Sequence, residues 1–406
     1  MVPKILMPYD AITIDSNVAI HTGINLETGL LAQLFQFKEG PVDFVISDVV
    51  LREIRKHLNK NTKKARDAAL ASVRNAVDLE LFDGIVATAS LVAVEGMIDS
   101  RDAVRIRLRR FLIETGANLA PSSLVSADQV MERYFLSKAP FDETGPKKNE
   151  FPDAIALLAL EKWATSNGKK ILAVSADKGW QAFAEGNAHI DVEPDLGAAL
   201  AKLQLHTDQA VSTVSAFLRA IETGQSPEQA AELQSSLDSS IMSLEVRAEA
   251  ESFFYYELDS VELNLSSFEI LEVGNSYDIR IVRMGAEEIV AQVGAILNIS
   301  AEAEFSLSIK DGIDKDYVSM GGAVSNKQVI VEGDILLTIG GVLDGPLEEL
   351  VVTDAEVLKE SLKIDFGTLD LEHEEDDYQA WLDEDQDADV EQDVAAEGNA
   401  AASDGS

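Results

Sequence analysis

The chain has 406 residues, 46% of them hydrophobic, no cysteine and a formal net charge of −39 at neutral pH. This length predicts two or three domains, and the lack of cysteine excludes disulfides, thiolate metal sites and cysteine nucleophiles. No apolar run approaches the roughly 20 residues that a membrane-spanning helix needs, and residues 1–10 do not resemble a signal peptide. We therefore expect a cytoplasmic protein that does not enter a membrane.

The charge is divided very unevenly along the chain. Residues 1–206 contain 24 Lys and Arg against 27 Asp and Glu, a net charge of −3. Residues 207–406 contain the other 9 basic and 45 acidic residues, a net charge of −36. The first half can approach a polyanion through basic patches, whereas the second half should repel one.

The first half alternates strand-like apolar runs with helical patterns, which predicts a parallel α/β sheet with helices on both faces. Strands are expected near 11–15, 43–47, 170–175 and 188–192. Helices are expected near 25–37, 48–60, 152–166 and 195–205. From the second strand to residue 153 the pattern is helical throughout, near 62–80, 85–96, 99–115 and 127–137. This predicts a helical arm at about 62–137 inserted into a domain of residues 1–206, with a loop at 138–150.

The second half changes its pattern twice. Residues 207–250 are typical of a helical connector whose second helix starts at Ser226-Pro227. From 251 to 371 the apolar residues alternate with period two, as in Val261-Glu262-Leu263-Asn264-Leu265, which predicts an antiparallel β-rich domain. Turn signals stand at 274–275, 310–312 and 332–334. Residues 372–406 are acidic and poor in apolar side chains, so we expect a disordered tail.

Four carboxylates occupy positions that favour a metal site. Asp15 and Asp177 each come directly after an apolar run, Asp153 opens a helix, and Glu53 lies early in the helix after the second strand. Ligands bind beyond the carboxyl ends of the strands in an open parallel sheet, so these side chains can converge. Clustered carboxylates repel one another, and hard oxygen ligands suit Mg²⁺ or Mn²⁺.

Other polar residues near these acids have both a functional and an ordinary interpretation. Asn17 could orient Asp15 or contact a phosphate, and Ser175 could bond a metal-bound water, although both types are common in turns. Asp48 follows Ser47 as the start of a helix does, which makes it a weaker candidate than Glu53. Asp191 is a further acid near the end of the last strand.

Three motifs resemble those of the PIN domain, a family of metal-dependent nucleases. They are Asp-Ser-Asn-Val at 15–18, Lys-Asn-Glu-Phe-Pro-Asp-Ala-Ile at 148–155 and Ser-Ala-Asp-Lys-Gly-Trp at 175–180. The resemblance covers about residues 8–206. It implies a PIN-like fold in which Asp15, Glu53, Asp153 and Asp177 bind Mg²⁺ or Mn²⁺ and catalyse phosphodiester hydrolysis. It favours single-stranded RNA as the substrate, hence an endoribonuclease, with DNA left open.

Substrate contacts are expected from basic helices. Arg101, Arg105 and Arg109 recur at i, i+4 and i+8 on one helix face, and a second basic stretch runs from Arg52 to Arg66; both could also be plain solvated surface. A haloacid-dehalogenase-type phosphatase would need an acid two residues after Asp15, where Asn17 stands. The more serious alternative is a non-catalytic PIN-like scaffold whose acidic second half binds a basic protein partner.

Overall fold

A computed structural model of the chain describes residues 7–141, 150–274, 276–310, 317–341 and 345–371. These residues form two compact units. The first takes its described residues from Met1–Glu245, Leu265–Asn298 and Ile330–Ser361, and the second takes them from Val246–Asn264, Ile299–Val329 and Leu362–Ser406. The domain boundaries predicted after residues 206, 250 and 371 stay a prediction.

The first unit contains a five-stranded parallel sheet, as the sequence predicts. Its order is β3-β2-β1-β4-β5. The strands are β1 (Ala11–Ile14), β2 (Asp43–Ser47), β3 (Asn118–Ala120), β4 (Ile171–Val174) and β5 (Ile190–Glu193). All residues of β1 and β4 are buried, which is why both strands are unbroken apolar runs rather than alternating ones. The strand order reverses at β1, so the switch point of the sheet lies between β1 and β4.

Helices connect these strands. They are α1 (Ser16–His21), α2 (Gly29–Ala32), α3 (Asp48–Asp78), α4 (Gly84–Glu95), α5 (Ser100–Glu114), α6 (Ala127–Phe135), α7 (Phe151–Asn167), α8 (Lys178–Ala184) and α9 (Leu196–Lys202). The predicted helix at 25–37 is instead the short α2 followed by a 3₁₀ segment, Gln33–Phe37. The predicted helices at 48–60 and 62–80 are one helix, α3, because Asn61-Thr62 contains neither glycine nor proline to break it.

The expectation of a purely helical insertion was wrong at one point. Residues 118–120 form β3, which extends the parallel sheet beside β2. This strand has three residues, two of them exposed, so it carries no apolar run that the sequence could show. Helix α3 has 31 residues and thus extends about 46 Å. Helices α4 and α5 both pack along it and complete the arm.

The remaining chain forms helices and antiparallel strands, which confirms the β-rich second half. The helices are α10 (Asp208–Glu222) and α11 (Pro227–Met242). The strands are β6 (Glu245–Glu251), β7 (Tyr255–Ile270), β8 (Glu272–Val273), β9 (Ser276–Tyr277), β10 (Ile279–Met284), β11 (Glu288–Lys310), β12 (Tyr317–Gly340), β13 (Val351–Val357) and β14 (Ser361–Thr368). Four of them form the sheet β10-β11-β12-β13, β7 also pairs with β11, β14 pairs with β6, and β8 pairs with β9.

Several details differ from the sequence predictions for this half. Strand β6 begins at Glu245, inside the stretch predicted to be a helical connector. The turn predicted at 332–334 is absent because β12 runs through it, whereas β8 and β9 pair around the turn predicted at 274–275. Of the turn predicted at 310–312, Asp311 and Gly312 lie outside the described residues, as does the whole predicted acidic tail at 372–406. Within the described ranges, no helix is both long and apolar enough to cross a bilayer.

Part of the antiparallel sheet packs into the core of the parallel sheet within the first unit. Val282, Val290 and Leu336 are buried in the same apolar cluster as β1 and β4. The backbone carbonyl of Val282 accepts hydrogen bonds from the side-chain amides of Gln36, at 3.0 Å, and Gln204, at 3.2 Å. Because this contact is apolar and also hydrogen-bonded, the second half of the sequence helps to stabilise the fold that carries the predicted acids.

Candidate active site

The candidate site lies where β1 and β4 end. The register of these strands pairs Ile14 with Val174, so that the next residues, Asp15 and Ser175, are neighbours beyond the sheet. The Asp15 amide continues the ladder by donating to the Val174 carbonyl at 2.9 Å. This is the switch point of the sheet, the place where open α/β folds bind ligands.

Asp15 is a buried carboxylate held by short-range hydrogen bonds. It is 1% exposed, and its Oδ2 accepts a bond from the Ser175 hydroxyl at 2.9 Å and from the Asn17 amide at 3.3 Å. Burial raises the pKa of Asp15 above its ordinary value and the charge of Asp177 adds to the rise, while bonds from the Ser175 hydroxyl and from the backbone amides of Asn17 and Ser16 oppose it. Ser175 and Asn17 therefore orient Asp15 in a region where its charge is poorly solvated.

Asp177 begins α8 and faces the same region. Its Oδ1 accepts from the backbone amides of Gly179 at 2.7 Å and Trp180 at 3.2 Å, and its own amide donates to the Ser175 hydroxyl at 3.1 Å. A Cβ at position 179 would lie 2.9 Å from that Oδ1 and 3.0 Å from Pro140 Cβ. The glycine in the Ser-Ala-Asp-Lys-Gly-Trp motif thus allows the carboxylate to approach the start of the helix closely.

Asp153 lies in the first turn of α7, and a buried indole holds it. The Trp180 ring is completely buried, and its Nε1 donates to Asp153 Oδ1 at 3.1 Å. Burial raises the pKa of Asp153 from 3.8 to about 6, with the Trp180 bond opposing the rise and the charges of Asp15, Glu53 and Asp177 adding to it. The charges of the three other predicted acids therefore all reach Asp153.

Glu53 is the fourth member of this group and lies one turn into α3, half-buried. Across the described ranges, neither Glu53 nor any of the other three acids forms an ion pair with a Lys, Arg or His. Equally, no three His, Asp or Glu side chains of the described residues converge closely enough to hold an ion as they stand. The four carboxylates therefore share one negatively charged region without forming a finished coordination cage.

The residues present fit a hard divalent cation in chemistry and in charge. All four candidates are carboxylates, the ligands that Mg²⁺ and Mn²⁺ prefer. Within the part of the chain that the structure describes, Oδ2 of Asp153 and Oδ2 of Asp177 accept no hydrogen bond. Each acid thus has a free oxygen, while its other oxygen is fixed by Trp180 or by the start of α8. A cation would neutralise repulsion that protein donors now offset only in part.

Asp48 and Asp191, the two further acids named in the sequence analysis, have structural partners. Asp48 starts α3 as predicted, and it accepts bonds from the backbone amide of Ser122 at 2.7 Å and from its hydroxyl at 3.0 Å. Asp191 pairs with Lys170 at 2.6 Å and accepts from the Tyr9 hydroxyl at 2.9 Å. These contacts account for both carboxylates without a ligand.

The basic residues predicted to contact a substrate do not share one environment. Arg101 borders a groove between α3 and the start of α5. Arg105 pairs with Asp102 at 3.0 Å, and Arg109 is exposed. The contact that sequence reasoning missed is the one from Trp180 to Asp153. The only signal for it was the position of this tryptophan three residues after Asp177, which does not reveal a partner 27 residues away.

Comparison with known proteins agrees with this geometry. The family model of the PIN domain matches residues 12–180, a segment that contains all four acids. Comparison with curated proteins and with solved structures gave no significant match. The strand order, the acids at the sheet switch point and the family match point to the same conclusion. Residues 12–180 of this chain are therefore similar to the PIN domain family.

Proposed function

We propose that the protein is a divalent-metal-dependent endoribonuclease that hydrolyses single-stranded RNA. PIN domains are in general metal-dependent nucleases, which supports the reaction class. The observation that carries the proposal is that the charges of Asp15, Glu53 and Asp177 all raise the pKa of buried Asp153, while no basic side chain of the described residues pairs with any of the four acids. Such an arrangement is costly unless it serves to bind a cation.

In this proposal Asp15, Asp153 and Asp177 would hold Mg²⁺ or Mn²⁺, and Glu53 would complete the ligand set or orient the attacking water. A bound ion of this kind lowers the pKa of water and offsets charge on a phosphate. The protein supplies the geometry: Ser175 and Asn17 fix Asp15, Trp180 fixes Asp153, and the start of α8 fixes Asp177. A rigid second layer of this type keeps ligands oriented.

The charge distribution favours a nucleic acid as the substrate, and the resemblance to PIN domains favours single-stranded RNA. The first half, at a net −3, contains the exposed arginines Arg101, Arg105 and Arg109, which we propose as phosphate contacts. Exposed Asn17 lies close enough to Asp15 to contact the phosphate at the cleavage point as well, whereas the predicted contact from Ser175 is less favoured because that hydroxyl is buried between Asp15 and the Asp177 amide. Whether RNA or DNA is the better substrate is a separate arm of the test.

The test is a cleavage assay on end-labelled single-stranded RNA and DNA of equal sequence, with Mn²⁺, Mg²⁺ or EDTA. We expect metal-dependent internal cuts in RNA. Asp15→Asn or Asp177→Asn should lower the rate at least a hundredfold, which corresponds to about 3 kcal/mol in barrier. Asp191→Asn, which alters an acid already paired with Lys170, is the control and should keep the wild-type rate. Wild-type rates from both site variants would refute the proposed site.

A second candidate function is a scaffold that binds a basic protein. The supporting observation is a cavity of about 970 Å³ in the first unit that is lined by Asp195, Asp334, Asp354, Glu356 and Glu360, among other residues. Burial and the charge of Asp354 raise the pKa of Glu356, and a bond from the Gly29 amide at 2.9 Å opposes the rise. If the chain binds no Mn²⁺ and cuts no nucleic acid, while a charge-reversed variant of this cavity loses a basic partner, the scaffold replaces the nuclease.

A further inference from the structure

A basic groove lies on the helical arm between α3 and the start of α5. Its volume is about 450 Å³, and it is lined by eight residues: Arg52, Arg55, Lys56, Asn59, Lys60, Lys63, Ser100 and Arg101. Six of the eight are cationic and none is acidic. Such a lining concentrates positive potential in a chain whose total charge is strongly negative.

The cations of this groove are available to a ligand. Arg52 pairs with Asp48 at 2.9 Å. Arg55, Lys56, Lys60, Lys63 and Arg101 form no ion pair with any residue that the structure describes, and all five are exposed. Residues 54 to 66 of α3 include no acid; Glu53 and Asp67 flank this stretch at three positions before Lys56 and four after Lys63, but neither forms an ion pair with a described residue. The groove therefore keeps an uncompensated charge of about five.

The groove leads directly to the candidate active site. Glu53 lies on α3 beside Arg52, and Lys56 and Lys60 follow it at three and seven positions, on the same side of the helix. From Arg52 to Lys63 the helix rises about 17 Å, the length of roughly five stacked nucleotides at 3.4 Å each. A strand that lies in the groove would thus have one end at Glu53 and extend outward along α3.

The lining also determines what is recognised. It contains no aromatic ring on which a base could stack, and its only neutral polar side chains are Asn59 and Ser100. Lysines are compact point charges suited to phosphates and carry no base information. The ligand is therefore read through its backbone charge and not through its sequence.

We propose that this groove binds the phosphate backbone of single-stranded nucleic acid on one side of the cleaved bond, an inference that rests on the proposed nuclease function. It holds about five nucleotides without sequence preference. Arg101 is the member of the predicted arginine set that joins this path, since it alone of the three borders the groove. The path follows α3, the helix that also carries Glu53.

The test compares two triple variants of the full-length protein. In the groove variant, Lys56→Gln, Lys60→Gln and Lys63→Gln remove three charges; glutamine is a good helix former and the lysines are exposed, so the fold should survive. The control variant carries Lys327→Gln, Lys359→Gln and Lys363→Gln, three exposed lysines of the second half, and has the same net charge. Melting temperature verifies that both variants are folded.

Binding is measured in EDTA, so that no cleavage occurs, with labelled single-stranded RNA of 4 to 16 nucleotides and mixed sequence. Each lost phosphate contact should make the plot of log affinity against log salt shallower by about 0.7, hence up to about 2 for the groove variant. We expect affinity at 50 mM salt to fall at least tenfold for the groove variant and to stay unchanged for the control. For wild type, affinity should rise with RNA length until the groove is filled, and the groove variant should lose most of this rise.

The outcomes separate the groove from the nuclease. If the groove variant keeps the affinity and salt dependence of wild type, the proposed binding role of the groove is wrong. Metal-dependent cleavage by that same variant would show that the proposed nuclease function still holds. Loss of binding in the groove variant would support the binding role of the groove even if no RNA were cut with Mn²⁺. In that case only the proposed nuclease function would be wrong. Tighter binding of a duplex of the same length than of the single strand would overturn the assigned ligand.

Discussion

Replacing Asp153 by Asn should stabilise the metal-free protein, and only at neutral and alkaline pH. Asp153 has its pKa raised from 3.8 to about 6 by burial and by three neighbouring carboxylates. The folded state therefore holds this proton more tightly than the unfolded chain does. As a result, the contribution of Asp153 to the free energy of unfolding is most favourable below about pH 4, falls as the pH rises from about 4 to about 6, and stays low above that.

The size of this effect follows from the shift. A difference of about 2 pKa units corresponds to about 3 kcal/mol, and water around the partly exposed carboxylate should reduce it to about 1–2 kcal/mol. An asparagine of the same shape is uncharged and can still accept the bond from Trp180 Nε1 through its Oδ1. We therefore expect Asp153→Asn to be about 1–2 kcal/mol more stable than wild type at pH 8 and equal to it at about pH 3.5.

The assay is urea unfolding in EDTA at both pH values, followed by tryptophan fluorescence. Asp128→Asn is the matched control because Asp128 also lies in the first turn of a helix, α6, but is exposed. Loss of its interaction with the helix dipole should destabilise the control slightly, by about 0.3–1 kcal/mol at pH 8. If Asp153→Asn were destabilised at pH 8, or gained the same stability at both pH values, the carboxylate repulsion inferred here would be refuted. Saturating Mn²⁺ should stabilise wild type more than this variant, since binding to the folded state adds to stability.

Gly179→Ala places a methyl group 2.9 Å from Asp177 Oδ1 and 3.0 Å from Pro140 Cβ, so we expect a loss of about 1–3 kcal/mol in unfolding free energy and weaker Mn²⁺ binding. Gly168→Ala is the control for backbone strain. Gly168 lies at the end of α7 with a φ of +62°, and a Cβ added there meets nothing within 4 Å. If both variants lost Mn²⁺ affinity equally, crowding at the site would not be the cause. Removing residues 372–406 deletes 14 acidic and no basic residues. Melting should therefore change little, while RNA affinity should increase, most clearly at low salt. A large drop in melting temperature would show that this segment is structural, and unchanged affinity would show that its acids do not repel RNA from the basic helices.

The sequence alone was sufficient for the elements whose pattern is local. The strands β1, β2 and β4 are short apolar runs and, like α5 and α7, were placed within a few residues, whereas α3 was predicted as two helices. The same local order predicted the four acids, because Asp15 and Asp177 directly follow buried strands, Asp153 opens a helix and Glu53 lies early in the helix after β2.

Only the tertiary structure decided what depends on distant partners. The edge strand β3 has no apolar run of its own and forms because β2 offers it free backbone groups. The turn predicted at 332–334 disappears because β12 pairs continuously along this stretch, which a local glycine signal cannot anticipate. The bond from Trp180 to Asp153 joins two helices, and the basic groove joins α3 to the start of α5. Periodicity describes the neighbours of a residue along one helix or strand, whereas these contacts are fixed by how separate elements pack.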